Sequence, residues 1–193
     1  MLYLLNVYWI VFIVLLLFFN IYCFHAFIVS RWGQFAPFAP TLGHQKHFII
    51  AKLDDLLQKA DKTMTIIDAG CGNGKLLRAL AERFPAHRFI GLEWSLPYFK
   101  YCVWSSAKYK NLVFRHQDMF QYDFGCADII ICFLIPKMAG RFGDKAQREM
   151  QENCLVISNG LEFPQLELTE RSGKFSGIFP QEVFVYKKRQ AAV

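Results

Sequence analysis

Three glycines at alternating positions mark the stretch of this chain whose residue types could bind a ligand. Gly70, Gly72 and Gly74 follow a short apolar run and one acid, Asp68. Glycine allows a tight turn and lets a ligand approach the backbone closely. Apolar residues at helical spacing over Leu76–Phe84 come next, and the N-terminus of that helix would present free N–H groups to the ligand. The stretch therefore predicts a ligand-binding loop between a strand and a helix.

The spacing of these glycines excludes two common nucleotide-binding loops. A dinucleotide-binding loop has the pattern G-x-G-x-x-G, which needs a glycine where this chain has Lys75. A P-loop needs G-K-[ST], and Leu76 stands in the place of the Ser or Thr. The pattern present is D-x-G-x-G-x-G, with Asp68 as its first member.

Two further acids stand at the expected ends of the next two strands. Glu93 lies 19 residues beyond Gly74, where a carboxylate can accept hydrogen bonds from both hydroxyls of a ribose. Asp118 follows the third strand-like run, and an acid there can accept a hydrogen bond from an adenine amino group while Met119 packs on the ring. Asp123 lies close enough in sequence to take the place of Asp118. The three strand ends would face one crevice, where open α/β sheets bind ligands.

This combination resembles the class I S-adenosylmethionine-dependent methyltransferases over about residues 41–187. The resemblance implies S-adenosyl-L-methionine as the cofactor, with Asp68 and the glycine loop near its methionine end. It also implies Glu93 on the ribose and Asp118 near the adenine. The predicted cofactor-binding residues are Asp68, Gly70, Cys71, Gly72, Gly74, Glu93, Asp118 and Met119. The alternative interpretation of each acid is a solvated carboxylate at a strand end.

Short apolar runs alternate with helical patterns along the rest of the chain, which favours an α/β fold with a parallel sheet covered on both faces. The predicted strands are Thr63–Asp68, Arg88–Glu93, Leu112–Gln117, Ala127–Leu134, Leu155–Ser158, Leu166–Glu170 and Val183–Lys187. The last two are expected to form an antiparallel pair at one edge. Together with the resemblance, this predicts a Rossmann-like, mostly parallel methyltransferase sheet of seven strands, preceded by one N-terminal transmembrane helix.

That helix is predicted from the absence of charge at the start of the chain. Residues 1–30 contain no Asp, Glu, Lys or Arg, so the rest of the chain carries the whole formal charge of +6. The run is long enough for a transmembrane helix, which needs about 20 apolar residues. The predicted organisation is a transmembrane anchor over 1–30, a connector over 31–43 and a methyltransferase domain over 44–193. Basic residues follow the run and none precedes it, so we expect a single-pass membrane protein whose catalytic domain faces the cytoplasm.

The residues after the fourth predicted strand bear on the methyl acceptor. Enzymes that methylate planar nitrogens of bases or glutamine amides carry [DN]-P-P-[FYW] there, whereas this chain reads Phe133-Leu134-Ile135-Pro136. With the apolar N-terminus and the segment Pro37-Phe38-Ala39-Pro40-Thr41, this is similar to the membrane-anchored protein-lysine methyltransferases. That branch includes the mitochondrial enzyme acting on the c-subunit of ATP synthase, and it has archaeal relatives. The resemblance implies a lysine of a protein as the acceptor, and a membrane protein would fit the anchor.

An apolar slot would help a lysine to react, because desolvation lowers the pKa of its amine. The candidate walls of the slot are Phe38, Phe133, Leu134 and Pro136, for which ordinary core packing is the alternative. No general base stands out, and no catalytic residue is assigned. His44 and His47 have helical spacing but no Cys or acid at ligand spacing beside them, so no metal is expected.

The remaining composition narrows the class of protein. The six cysteines are scattered, which indicates a reduced compartment and not a disulfide framework. No aromatic-basic motif for RNA stands out, and nucleic acid is not an expected partner.

Two other functions stay open. One is a methyltransferase for a lipid or quinone-like small molecule, and the other is a non-catalytic module that binds S-adenosylmethionine.

Overall fold

The structure is a computed structural model, and it describes the backbone of residues 2–31, 43–173 and 182–190. Side chains are described over 8–24, at 45, and over 47–173 and 182–190. The chain divides into two compact units, Met1–Phe38 and Ala39–Val193, and each is taken by itself below.

Over its described residues, the first unit contains one helix, α1, over Leu2–Arg31. Its described side chains, from residue 8 to residue 24, are all exposed. Within the described part of the chain, no helix is long and apolar enough to cross a membrane. The transmembrane anchor predicted over 1–30 is therefore not supported. Most of the predicted connector over 31–43, including Phe38, lies outside the described residues.

The second unit alternates strands and helices. Its helices are α2 (Gly43–Gln58), α3 (Lys75–Arg83), α4 (Leu96–Ser105) and α5 (Pro136–Glu149), and Phe124–Cys126 forms a short 3-10 turn. Its strands are β1 (Thr65–Ala69), β2 (Arg88–Glu93), β3 (Leu112–His116), β4 (Ile129–Cys132), β5 (Leu155–Asn159), β6 (Glu167–Arg171) and β7 (Val183–Lys187). All seven predicted strands are present, with ends that shift by up to two residues.

These strands form one sheet in the order β3-β2-β1-β4-β5-β7-β6. The pairs among β1 to β5 are parallel, while β7 runs antiparallel to both β5 and β6. The predicted mostly parallel sheet with an antiparallel C-terminal pair is thus confirmed. The strand order reverses between β1 and β4, which places a crevice at the carboxyl ends of these two strands.

The fourth strand is the one whose ends differ most from the prediction Ala127–Leu134. It begins at Ile129, directly after Asp128, whose Oδ2 accepts the N–H of Thr65 on the neighbouring strand β1 at 2.8 Å. It ends at Cys132, and the chain then reaches Ile135, the residue before the first turn of α5. Pro136 occupies that first turn, where its missing N–H costs nothing.

The core has two apolar layers, one on each face of the sheet. Alternation along β4 shows this most simply, because Ile129 and Ile131 join the layer under α2, α3 and α4, and Ile130 and Cys132 join the layer under α5. Both layers are closed over, with all four of these side chains at most 4% exposed. Strands buried on both faces explain the continuous apolar runs in the sequence.

Candidate active site

The glycine loop follows β1 directly and turns at each of its three glycines. Gly70, Gly72 and Gly74 have φ of 87°, 55° and 67°, a region that side chains with a Cβ rarely adopt. The N–H groups of Gly70 and Cys71 both donate to the carbonyl of Leu92, at 2.9 and 3.0 Å. The loop is therefore tied to the end of β2, and the sequence prediction of a tight turn here is confirmed.

Close packing behind the loop was not predicted from the sequence. The ring of Phe114 on β3 fills the space beside two glycines, so that a Cβ built at Gly74 would lie 2.6 Å from its Cζ and one at Gly91 2.4 Å from its Cδ1. Cys102 on α4 supports the same region, because its Sγ–H donates a hydrogen bond to the carbonyl oxygen of Gly72 at 3.2 Å. Gly91 in the run Gly91-Leu92-Glu93 was the available signal, because glycine inside a strand often marks a close approach.

Glu93 ends β2 and holds the loop from the side. Its Oε2 accepts the N–H of Gly72 at 2.9 Å, and its Oε1 accepts the N–H of Ser95 at 2.7 Å. Burial raises the pKa of this carboxyl, while the backbone hydrogen bonds act in the opposite direction. A carboxylate offers about four acceptor positions, so two remain for the hydroxyls of a ribose. This geometry leaves room for the ribose contact of Glu93, which stays a prediction.

Asp68 lies on β1, immediately before the loop, and is only 7% exposed. Its carboxylate accepts no hydrogen bond from the residues that the structure describes. Burial, together with the negative charge of Glu93, raises the pKa of Asp68 to about 7. A buried acid without a donor favours a ligand that brings positive charge or hydrogen-bond donors. This is the fit expected for the methionine end of S-adenosylmethionine, whose amino group and sulfonium are cationic.

Asp118 and Met119 follow β3 and differ in their surroundings. Asp118 is half-buried and accepts the N–H of Phe120 at 2.9 Å, which is a local turn. Met119 is 9% exposed and packs in the core layer under α5. Asp123, the other candidate, accepts the N–H of Gly125 at 2.8 Å at the start of the 3-10 turn. An adenine contact by Asp118 or Met119 stays a prediction.

The candidate slot residues are only partly brought together. Leu134 is 7% exposed and belongs to the core, and a Cβ at Gly70 would lie 4.0 Å from its Cδ2. Phe133 is half-buried and Pro136 is exposed. The end of β4 thus approaches the glycine loop through Leu134, while Phe38 lies outside the described residues.

Three aromatic rings beside Glu93 were also missed. His116 at the end of β3 stacks on Phe99 of α4, with ring centroids 5.4 Å apart and planes at 28°. Its other neighbour is Trp94, with centroids 6.0 Å apart at 27°, and its Nε2 lies 2.8 Å from the Trp94 carbonyl oxygen. These rings connect the ends of β2 and β3. Individual aromatic residues in the sequence gave no sign of the stack, because Trp94 and His116 are 22 positions apart.

Over the described residues, no group of three or more His, Cys, Asp or Glu side chains could hold a metal ion. The cysteines described there are all free thiols. The groups that this geometry offers to a ligand are a backbone loop, the buried Asp68, the half-buried Glu93 and aromatic rings.

A sequence profile of the ANTKMT methyltransferase domain matches residues 68–170, which is 103 of the 193 residues. The chain belongs to this family. Membership confirms the predicted class I methyltransferase, with S-adenosyl-L-methionine as its cofactor. The match begins at Asp68, the first residue of the glycine pattern.

Three curated relatives share one description, a lysine N-methyltransferase of the ATP synthase c-subunit. The mouse protein is 24% identical over 130 residues, which cover 67% of this chain and 50% of the relative. The human protein is 25% identical over 129 residues, covering 66% and 53%. The Xenopus laevis protein is 26% identical over 129 residues, covering 66% and 54%. The match spans about half the length of these relatives.

Solved structures share the fold at low identity. The RNA methyltransferase from Salinibacter ruber, in complex with S-adenosyl-L-homocysteine, has a TM-score of 0.66 and 16% identity, with 80% of this chain and 97% of that chain covered. The N-methyltransferase NodS from Bradyrhizobium japonicum has a TM-score of 0.57 and 10% identity, with 76% and 97% covered. These likenesses establish the Rossmann-like methyltransferase fold alone.

Proposed function

We propose that the protein transfers a methyl group from S-adenosylmethionine to the side-chain amine of a lysine in a protein. One observation carries the proposal: the glycine loop, Asp68 and Glu93 form a cofactor site in a chain whose curated relatives are named as lysine N-methyltransferases. By their names, the relatives act on the c-subunit of ATP synthase, and that substrate is a hypothesis for this chain.

The residues of the chain bind and orient in this reaction. When bound, the cofactor supplies an electrophilic methyl group on a sulfonium, and no acid or base is needed to activate it. Asp68 holds the cationic methionine end, and Glu93 holds the ribose while its hydrogen bond to Gly72 keeps the loop in place. Positioning of this kind accounts for about 7–11 kcal/mol of barrier lowering in favourable cases.

The acceptor amine must lose its proton before it can attack. A free lysine has a pKa of about 10.4, so neutralising it at pH 7 costs about 5 kcal/mol. An apolar surface at the end of β4 reduces that cost, because desolvation disfavours the charged amine. Phe133 is the candidate for this role, and its half-buried side chain and its position next to Leu134, which lies beside the glycine loop, support it.

A transfer assay tests the proposal. Purified protein is incubated with methyl-tritiated cofactor and with membranes and soluble extract from cells that lack the gene. We expect label in a protein, recovered as methyl-lysine after hydrolysis. We expect none with the Gly72→Val variant, because a β-branched residue strains the backbone at φ of 55°. The matched control is Gly140→Val, since Gly140 has no atom within 4 Å of a Cβ. Label in the solvent-extractable fraction would assign a lipid or quinone-like acceptor instead.

The alternative of a non-catalytic module has its own outcome. Cofactor binding that is normal by calorimetry, with no transfer to any fraction, would favour that module over the enzyme.

The membrane location predicted for residues 1–30 stays a prediction from composition. Carbonate extraction of membranes from cells expressing the full chain or residues 31–193 tests it, and equal release of the two would refute it.

A further inference from the structure

The exposed apolar side chains of the second unit are concentrated in one place. Among its described residues, eight large apolar side chains are exposed, and seven of them lie between residues 94 and 113. We call the six of them that precede β3, together with the exposed lysines of the same stretch, the α4 surface. Its apolar members are Trp94, Leu96, Tyr98, Tyr101, Val103 and Trp104, and its basic members are Lys100, Lys108 and Lys110.

The exposure of Trp104 is the most unusual feature of this surface. Its side chain is 77% exposed, whereas tryptophan is among the residues that are highly buried on average. Tyr101, one turn earlier, is 45% exposed, with its ring centroid 6.2 Å from that of Trp104. The opposite face of the helix packs normally, since Cys102 is fully buried. α4 therefore has one face for the core and a second, largely exposed apolar face. On that second face the Tyr101 ring contacts the guanidinium of Arg78 on α3, 5.6 Å from the ring centroid.

The charge of the surface has a single sign. Residues 94–117 contain no Asp or Glu, and they contain Lys100, Lys108, Lys110 and Arg115. Lys108 pairs with Glu82 of α3 at 3.2 Å, an exposed contact, and Lys100 and Lys110 are exposed. On β3, Leu112 and Phe114 pack into the layer under α4, so the exposed side chain of Val113 lies on the opposite face of the sheet and is not part of this surface.

We propose that the α4 surface docks on an anionic lipid bilayer. Trp and Tyr rings concentrate at membrane interfaces, and interfacial helices combine Trp and Leu with Lys and few acids. Lysines add attraction to anionic headgroups while their alkyl stems lie along the apolar side chains. A single-stranded nucleic acid is less well matched, because the aliphatic side chains of Leu96 and Val103 offer no stacking platform.

The proposal concerns a surface beside the cofactor site and does not depend on the methyl acceptor. Trp94 directly follows Glu93, so the docked face borders the crevice at the end of β2. An enzyme docked in this way would work at a bilayer surface.

The first test measures how partition depends on lipid charge. The full chain is added to vesicles of phosphatidylcholine alone and to vesicles with about one-third phosphatidylserine, and the ratio of the two partition coefficients is determined by sedimentation. This ratio reports charge attraction, to which the uncharged residues 1–30 do not contribute. Each lysine near an anionic surface contributes about 1 kcal/mol of attraction. Because about 1.4 kcal/mol corresponds to a tenfold change in partition, removing two lysines should lower the ratio about 30-fold.

The variant is Lys100→Gln with Lys110→Gln, and the matched control is Lys59→Gln with Lys187→Gln. Lys59 and Lys187 are exposed and lie on α2's C-terminal flank and on β7, away from the α4 surface. We expect the first pair to lower the ratio strongly. The second pair removes the same net charge, and we expect it to change the ratio by less than about twofold beyond the general effect of that lost charge. Equal ratios in the two pairs would overturn the proposal.

A second measurement places the indole directly. A variant with Trp9, Trp32 and Trp94 replaced by Phe keeps Trp104 as its single tryptophan. On anionic vesicles its emission should shift to the blue and be quenched by brominated lipid. An unchanged emission spectrum would refute docking through this face.

A single-stranded oligonucleotide tests the other occupant. If the oligonucleotide binds, if Lys100→Gln/Lys110→Gln abolishes that binding, and if the same variant leaves the vesicle ratio unchanged, the surface is assigned to nucleic acid and the lipid proposal is overturned.

Discussion

Replacing Gly91 with alanine tests whether close packing behind the glycine loop holds the cofactor site in shape. A Cβ at this position would lie 2.4 and 2.5 Å from two atoms of the Phe114 ring and 2.8 Å from Cys71 Sγ. The backbone of Gly91 is ordinary strand, so the effect is one of contact and not of backbone strain. Real Cβ atoms do not approach so closely, and both the ring and the loop cysteine must move.

The expected cost follows from overpacking of a closed core. Inserting a methyl group into such a site costs about 1–3 kcal/mol. For a domain of this size each kcal/mol lowers Tm by about 2–4 °C, so Gly91→Ala should lose about 2–12 °C. Because Cys71 is displaced with the ring, the affinity for S-adenosylmethionine should also fall, by about tenfold for each 1.4 kcal/mol of distortion.

Calorimetric titration and thermal denaturation measure the two effects separately. Gly140→Ala is the matched control, because nothing lies within 4 Å of its Cβ and it sits in α5, where alanine adds up to about 1 kcal/mol of stability. The double variant Gly91→Ala with Phe114→Ala should cost less stability than the sum of the two single variants, since alanine at 114 removes the ring atoms that the new Cβ meets. If Gly91→Ala binds cofactor normally and melts at the wild-type temperature, the packing argument is refuted.

Three further changes probe the site. In the folded protein Asp68 has a pKa of about 7, against an ordinary value of 3.8. The cofactor-free protein should therefore lose up to about 4 kcal/mol of stability as pH rises from about 4 to 7. Urea titrations at several pH values measure this profile, and Asp68→Asn should flatten it. Cofactor affinity should rise between about pH 6 and pH 8 as Asp68 ionises, and a pH-independent affinity in calorimetry would contradict its contact with a cation. Glu93→Gln should weaken cofactor binding by about 10- to 100-fold, because charge-assisted hydrogen bonds become neutral ones, whereas Glu82→Gln, an exposed change, should leave binding unaltered. Phe133→Ala should raise KM for a protein acceptor and leave the cofactor Kd within about twofold; a changed Kd alone would place Phe133 at the cofactor instead.

The sequence was sufficient to predict those parts of the site that depend on local spacing. The D-x-G-x-G-x-G pattern predicted the turn, because left-handed backbone at alternating positions requires glycine. Glu93 was predictable because the second strand ends at a residue that is read directly from its apolar run. The sheet followed from seven such runs and their order along the chain.

The packing of the site was not predictable, because it depends on the register between strands. Gly91 faces Asp68 on one side and Phe114 on the other only once β1, β2 and β3 are aligned. No single segment carries that information. The same holds for the stack of His116 with Phe99 and Trp94, which joins two strand ends across 22 residues.

The choice between two nearby acids shows a different limit. Asp118 and Asp123 both follow β3, and each accepts a backbone N–H two residues later, at 2.9 and 2.8 Å. Short acids form such turns wherever the chain bends, so composition alone does not separate a turn former from a ligand contact. Asp118 is the half-buried one of the two and the nearer to the strand end.

The electrostatics of the cofactor-free crevice indicate what it selects. Asp68 and Glu93 are both held partly out of water, and each has a raised pKa because burial disfavours its charge. Glu93 is compensated by the N–H groups of Gly72 and Ser95, whereas Asp68 accepts no hydrogen bond from a described residue. Two carboxylates in one crevice repel each other, and a cationic ligand removes that repulsion as it binds. The site should therefore discriminate between ligands by their charge. The comparison ligand is a neutral adenosine analogue that lacks the amino acid. Its affinity relative to that of S-adenosylmethionine should be lower at pH 8 than at pH 6.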